Sequence, residues 1–154
     1  MKDEVRDLQG FIYSRIFLFS NKLQIIGDKF DLNITTKQWF LIAIIQSFND
    51  EVPTISMIAE RLGSSRQNVK KMAAILEKKG FVEIIKDKND GRIQRVKVTE
   101  YCINYFKERK VKEEIYIDDL FQGFNEDMMK DFFNSMQLLE ENILRMEHNN
   151  ERSR

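Results

Sequence analysis

Residues 55–74, ISMIAERLGSSRQNVKKMAA, decide how the rest of the chain reads. Apolar Ile58, Leu62, Val69 and Met72 recur where two short crossing helices bury them, and Ala59 is small where the second helix must come close. Gly63 stands where the first helix has to stop in a left-handed turn, a conformation glycine adopts without steric penalty. Ser64 then opens a capping box with Gln67: its hydroxyl accepts from the Gln67 N–H while that amide side chain reaches back. Small residue, turn glycine, cap and later valine at this spacing read as a helix-turn-helix.

A hairpin follows it. Gly80 ends the second helix, residues 81–86 read as a strand, and Asn89-Asp90-Gly91 is a hairpin turn signal. Residues 93–98 form the return strand, with Val96 and Val98 on one face. A helix-turn-helix followed by a basic hairpin is a winged helix. Such a module puts its second helix in the DNA major groove and the hairpin tip on flanking backbone or minor groove.

The distribution of charge fits that reading. The 154 residues carry 25 basic and 25 acidic side chains, a formal net charge of zero. Between Arg61 and Lys97, however, eleven Lys and Arg face four acids (Glu77, Glu83, Asp87 and Asp90), a local net of +7 that the rest of the chain balances with −7. Opposite charge on two parts of one chain marks one part that meets phosphate and another that does not.

Outside the motif the chain reads as long helices, in keeping with one proline and six glycines. Residues 3–30 place Val5, Leu8, Ile12, Ile16, Phe19, Leu23 and Ile26 at helical spacing, with Phe11, Phe17, Leu18 and Ile25 off that stripe. So much apolar surface points to packing against another subunit. Thr35 and Gln38 form a capping box for a second helix, with Ile34 and Trp39 placed as a hydrophobic staple. Trp39, Leu41, Ile42 and Ile45 are expected in the core. Thr54 caps the first helix of the motif and Thr99 the helix that follows the wing. Residues 100–121 form a charged helix anchored by Tyr101, Tyr105, Ile115 and Leu120, interrupted at residues 122–125. In the last helix, residues 126–148, Met129, Phe132, Met136, Leu139, Ile143 and Met146 alternate three and four apart as an a/d seam, flanked by Met128, Phe133 and Leu144. Residues 149–154 should fray. One cysteine, no apolar run long enough to span a bilayer and an acidic start (MKDEVRD) predict a cytoplasmic protein.

These residues together resemble the MarR (multiple antibiotic resistance regulator) family of bacterial winged-helix regulators, over nearly the whole chain. The matching pieces are a second helix opening TTKQWFLI, the motif IAERLGSSRQNVKKMAAILEKKGFVE, and the wing DGRIQRVKVTE between flanking helices. Its most specific piece is Asp-x-Arg, here Asp90-Gly91-Arg92, before a strand ending Val98-Thr99. The family usually has Leu before that Thr and often a longer Asp/Arg-rich wing tip. The resemblance implies a mainly α single domain (residues 1–154), with DNA-binding residues 35–99 and dimerisation helices over 3–30 and 100–148. It implies a homodimer straddling a pseudo-palindromic operator in double-stranded DNA, acting as a repressor that a ligand or oxidant can release. Pocket linings would be Phe11, Tyr13, Phe17, Trp39 and Phe40, which are equally good core.

Site residues follow from exposure and chemistry. Ser64, Ser65, Arg66, Gln67, Asn68, Lys70 and Lys71 would form the exposed recognition surface, with Ala74 beside them. Arg66 can pair bidentately with guanine and Gln67 with adenine, although Gln67 also serves the Ser64 cap. Lys70 and Lys71 suit phosphate. In the wing, Arg92 would enter the minor groove with Asp90 as its orienter, and Lys86, Lys88 and Arg95 would contact phosphate. His148 stands alone near the end without metal-ligand neighbours, and no cofactor is expected. The family's peroxide sensors place their reactive cysteine near the N-terminus, where this chain has none, so Cys102 reads as an inert, partly buried thiol. No phosphate loop, metal-ligand spacing or nucleophile–base pair marks an enzyme. The competing class is a winged-helix protein-interaction module without specific DNA binding.

Overall fold

Hydroxyl side chains set where the central helices begin. The computed structural model describes residues 2–152, and side chains from Asp3 to Asn149. In order these are α1 (Lys2–Phe30), α2 (Thr36–Gln46), α3 (Ile55–Leu62), α4 (Arg66–Lys78), β1 (Val82–Lys86), β2 (Gln94–Val98), α5 (Glu100–Leu120) and α6 (Glu126–Arg152). Thr35 Oγ1 accepts from Gln38 N–H at 3.3 Å while Gln38 Oε1 accepts from Thr35 N–H at 3.2 Å, the expected capping box. Thr54 Oγ1 takes the Met57 N–H, and Thr99 Oγ1 the Cys102 N–H.

The cap of α4 differs from expectation. Ser65, not Ser64, is the N-cap, its Oγ accepting from Asn68 N–H at 3.2 Å. Ser64 instead accepts from Asn68 Nδ2 at 2.9 Å. The turn closed by Gly63 explains the shift. At φ +62° Gly63 lets Ser64 N–H reach back to the Ala59 carbonyl (2.9 Å), so Ser64 belongs to the C-terminal closure of α3. Helix α4 ends the same way: Gly80 sits at φ +81° and Phe81 N–H bonds the Leu76 carbonyl at 2.9 Å.

The chain divides into two compact units, Met1–Lys107 and Glu108–Arg154. In the first, Ile34, Leu41, Ile42, Ile45, Ile58, Ala59, Val69, Ala73, Leu76, Phe81, Val82, Val96 and Cys102 are buried together. β1 pairs antiparallel with β2, with Ile84 opposite Val96. α2 is fastened to α1 by Thr36 N–H on Asp28 Oδ1 (2.7 Å) and Thr36 Oγ1 on the Gln24 carbonyl (3.1 Å). A Cβ at Gly27 would collide with that Thr36 hydroxyl, which is why glycine sits in the last turn of α1. Trp39, expected in the core, is 43 % exposed, so only Ile34 of the expected staple pair is buried. In the second unit Gly123, at φ +89°, turns the chain, and Phe124 packs edge-on to Phe121 and Phe132.

Several expected anchors stay open in the single chain. Tyr101, Ile115 and Leu120 of α5 are exposed, and only Tyr105 is half-buried. Tyr101 is covered on one side only, edge-on to Phe81, while Ile115 and Leu120 lie beyond the part of α5 that reaches the core, which holds Cys102 and Tyr105. Val5, Leu8, Ile12, Ile16, Phe19 and Ile26 of α1 and Phe132, Met136, Ile143 and Met146 of α6 are likewise exposed. Residues 149–152, expected to fray, continue α6, while Ser153 and Arg154 lie outside the described residues.

The two serines separate in a direct test of the cap. Ser65→Ala should cost about 1 kcal/mol in urea unfolding, the usual loss for a missing N-cap. Ser64→Ala, which loses only a bond from an exposed Asn68 amide, should cost less.

Candidate nucleic-acid interface

The register of α4 on the core decides which side chains it presents. Val69, Ala73 and Leu76 are fully buried. At about 100° per residue, Gln67 and Lys71 then point within roughly 30° of the direction opposite the buried stripe, and Ala74 within about 50°. Arg66 and Lys70 lie on one flank of that face, and Asn68 and Ile75 on the other. Ser65, Arg66, Gln67, Asn68, Lys70 and Lys71 are all exposed, whereas Ser64 is half-buried in the turn.

The Arg66 flank faces the wing. A cleft of about 250 Å³ is lined by Thr54, Ile55 and Ser56 at the start of α3, Arg66 and Lys70 of α4, and Arg92, Ile93 and Gln94 of the wing. Three cations from two separate elements thus border one hollow at a helix N-terminus, a combination suited to an anionic backbone. Thr54 was read only as a cap, and Ser56 and Gln94 escaped the sequence reading, because the cleft joins segments some forty residues apart.

At the wing tip the expected Asp90–Arg92 pair is present. Arg92 Nε donates to Asp90 Oδ1 at 3.1 Å and Nη2 to Oδ2 at 3.2 Å, and the Arg92 N–H adds a third bond to Oδ1. Those donors hold the Asp90 carboxyl below the usual carboxylate range, the Arg92 side chain contributing most. The Arg92 side chain remains 92 % exposed. Two of its five N–H donors are used, leaving the rest for a ligand. Lys86 and Lys88 are exposed beside it.

Comparison with known proteins accords with this geometry. The sequence model of the MarR family matches residues 31–93. No significant match occurs among curated proteins. Among solved structures, one described as MarR is 25 % identical, with a TM-score of 0.68 over 90 % of this chain and 98 % of that one. A MarR transcriptional regulator from Methanosarcina mazei Go1 is 22 % identical, with a TM-score of 0.76 over 89 % and 99 %. The S. aureus MepR–DNA complex is 17 % identical, with a TM-score of 0.71 over 84 % and 97 %. Residues 31–93 thus carry the MarR-family sequence pattern, and the chain shares the fold of these MarR structures.

In this wing Arg95 does something other than wait for phosphate. Its Nε donates to Asp87 Oδ2 and its Nη1 to the Val52 carbonyl, with the Arg95 and Asp87 side chains only 29 % and 11 % exposed. Its backbone bridges Thr54, and the neighbouring Val96 N–H bonds the Pro53 carbonyl at 3.0 Å. Asp87 Oδ1 meanwhile accepts the N–H groups of Asn89 (2.8 Å) and Asp90 (3.1 Å), which shapes the turn. Asp87 is the organiser that the sequence reading counted only as a negative charge. Its signal was present as an Asx turn two residues before Asn89.

Cys102 is fully buried, and burial pushes its thiol up to about 11. Desolvation outweighs the helix N-terminus that would favour a thiolate. A thiol-specific reagent at pH 8 should therefore leave Cys102 unmodified in the folded chain and react only on unfolding.

Asp87 makes the wing sensitive to acid. The Arg95 guanidinium, then the Asn89 and Asp90 N–H groups, hold its carboxyl down to about 2. An unfolded Asp titrates near 3.9, so the stabilisation is complete above about pH 4 and is lost as pH falls toward 2. Asp87→Asn should be less stable than the parent at pH 7, the gap in urea midpoint closing between pH 4 and 2. A gap that stays constant over that range would remove Asp87 as its source.

Proposed function

We propose that this protein is a homodimeric, sequence-specific double-stranded DNA-binding transcription regulator of the cytoplasm, acting as a repressor. The observation that carries the reading is the cleft where Arg66 and Lys70 of α4 meet Arg92 of the wing, beside an outward face bearing Gln67 and Lys71. A helix presenting polar side chains over a row of cations has the form of a major-groove reader flanked by phosphate contacts. The +7 charge of residues 61–97 supports the same partner. A basic surface alone would also suit an acidic protein, but an outward-facing carboxamide beside exposed cations on the same helix suits a duplex better.

Dimerisation is supported by the exposed apolar rows of α1 and of α6, which a single chain leaves in water. Two copies would present two recognition helices to half-sites about one helical turn apart. Release by a small-molecule ligand is part of the reading. Tyr13, Phe17, Trp39 and Phe40, all exposed in the single chain, offer apolar surface for it. No helix among the described residues is long and apolar enough to cross a membrane.

Titration of a fluorescent duplex from the protein's own promoter region, at several salt concentrations and against non-specific duplex, tests this function. If each half of a dimer neutralises roughly three to five phosphates, the log–log salt slope should be about −5 to −9. Arg92→Ala should weaken binding by about 1–3 kcal/mol with the fold intact. Failure of a folded dimer to bind any duplex at low salt would overturn the regulator reading in favour of a protein-contact module.

A further inference from the structure

We infer that Gln67 is the base-reading residue of the recognition helix, specific for adenine, and that Arg66 belongs to the phosphate contacts. The inference rests on the DNA-binding reading above and divides its labour between two faces of one helix.

Three observations carry it. Because Ser65 rather than Ser64 caps α4, the Gln67 side chain has no capping duty, and its carboxamide has no hydrogen-bond partner among the described residues. Gln67 also points almost directly away from the buried Val69, Ala73 and Leu76, in the first turn of the helix. Arg66, although its neighbour in sequence, is turned about 100° from it and lines the wing cleft with Lys70 and Arg92. A guanidinium grouped with two other cations at a helix N-terminus is placed for an anion. A free carboxamide on the outward face of the helix's first turn is placed for a base edge.

The chemistry fits the placement. A glutamine carboxamide donates to adenine N7 and accepts from adenine N6, a bidentate pair that no other base edge offers in the major groove. Asn68, the other amide of the first turn, is held by its bond to Ser64 Oγ and lies on the flank away from the wing. The arrangement leaves Gln67 as the one first-turn amide both free and outward.

The test selects sites for the wild-type chain from a duplex library randomised over about 20 base pairs, then repeats the selection with Gln67→Ala and Arg66→Ala. Circular dichroism and gel filtration would confirm that each variant keeps its fold and assembly. Gln67→Ala should bind the selected duplex tenfold or more weakly and lose preference at one adenine per half-site. Its salt slope and non-specific affinity should not move. Arg66→Ala should weaken selected and random duplexes alike, lower the salt slope by about 1 per subunit and keep the base preference. Unchanged selection by Gln67→Ala, or base preference lost by Arg66→Ala at an unchanged slope, would overturn the assignment while leaving the regulator standing. A wild-type chain that selects no sequence at all would bring down both.

Discussion

The seating of one helix stripe in the core governs the geometry of this protein. Val69, Ala73 and Leu76 of α4 are fully buried against a core that also holds Leu41, Ile42, Ile58 and Val96. Close packing leaves such residues little freedom to rotate, because turning the helix would expose three apolar side chains and push charged ones inward. The opposite face is therefore fixed as well. Gln67 and Lys71 look outward because their neighbours look inward, and Arg66 and Lys70 fall to the side where the wing stands.

The wing is positioned by polar rather than apolar means. Its two strands are short, and a lone two-stranded hairpin is marginal in water. Arg95 supplies the attachment, joining the carboxylate of Asp87 in the turn to the Val52 carbonyl before α3. The Thr54–Arg95 bridge and the Val96–Pro53 bond add backbone contacts at the same place. One cation has thus become part of the scaffold that carries another, Arg92, to the rim of the cleft. Residue type alone could not separate those two roles.

Where the chain changes direction, glycine and hydroxyl residues act in pairs. Gly80 ends α4 in a left-handed turn, and its carbonyl accepts from Thr99 Oγ1, the same hydroxyl that caps α5. Thr99 N–H bonds the Phe81 carbonyl at 3.1 Å, so the end of the recognition helix and the start of the helix beyond the wing share one junction. Tyr105 ties this region to the α1–α2 loop by donating to Asp31 Oδ2 at 2.7 Å. Lys79 Nζ donates to the Asn33 carbonyl in the same loop. These bonds link the C-terminal end of the recognition helix to the segment between α1 and α2.

Much of this was written locally in the sequence. The period of Ile58, Val69 and their neighbours, Gly63 and Gly80 at the turns, the caps at Thr35, Thr54 and Thr99, and the Asp90-Gly91-Arg92 wing signal specified the winged helix-turn-helix. Each acts through backbone geometry or through residues three or four apart. What the sequence left undecided depended on contacts between distant segments. The cap of α4 moved from Ser64 to Ser65 because the closure of α3 claimed Ser64. Arg95 was drawn inward by Asp87 and Val52, Gly27 was required by Thr36, and Trp39 stayed partly exposed because its place in a hydrophobic period does not ensure neighbours that cover it fully. Local chemistry chose the elements, and the packing of distant elements chose which side chains remained free to act.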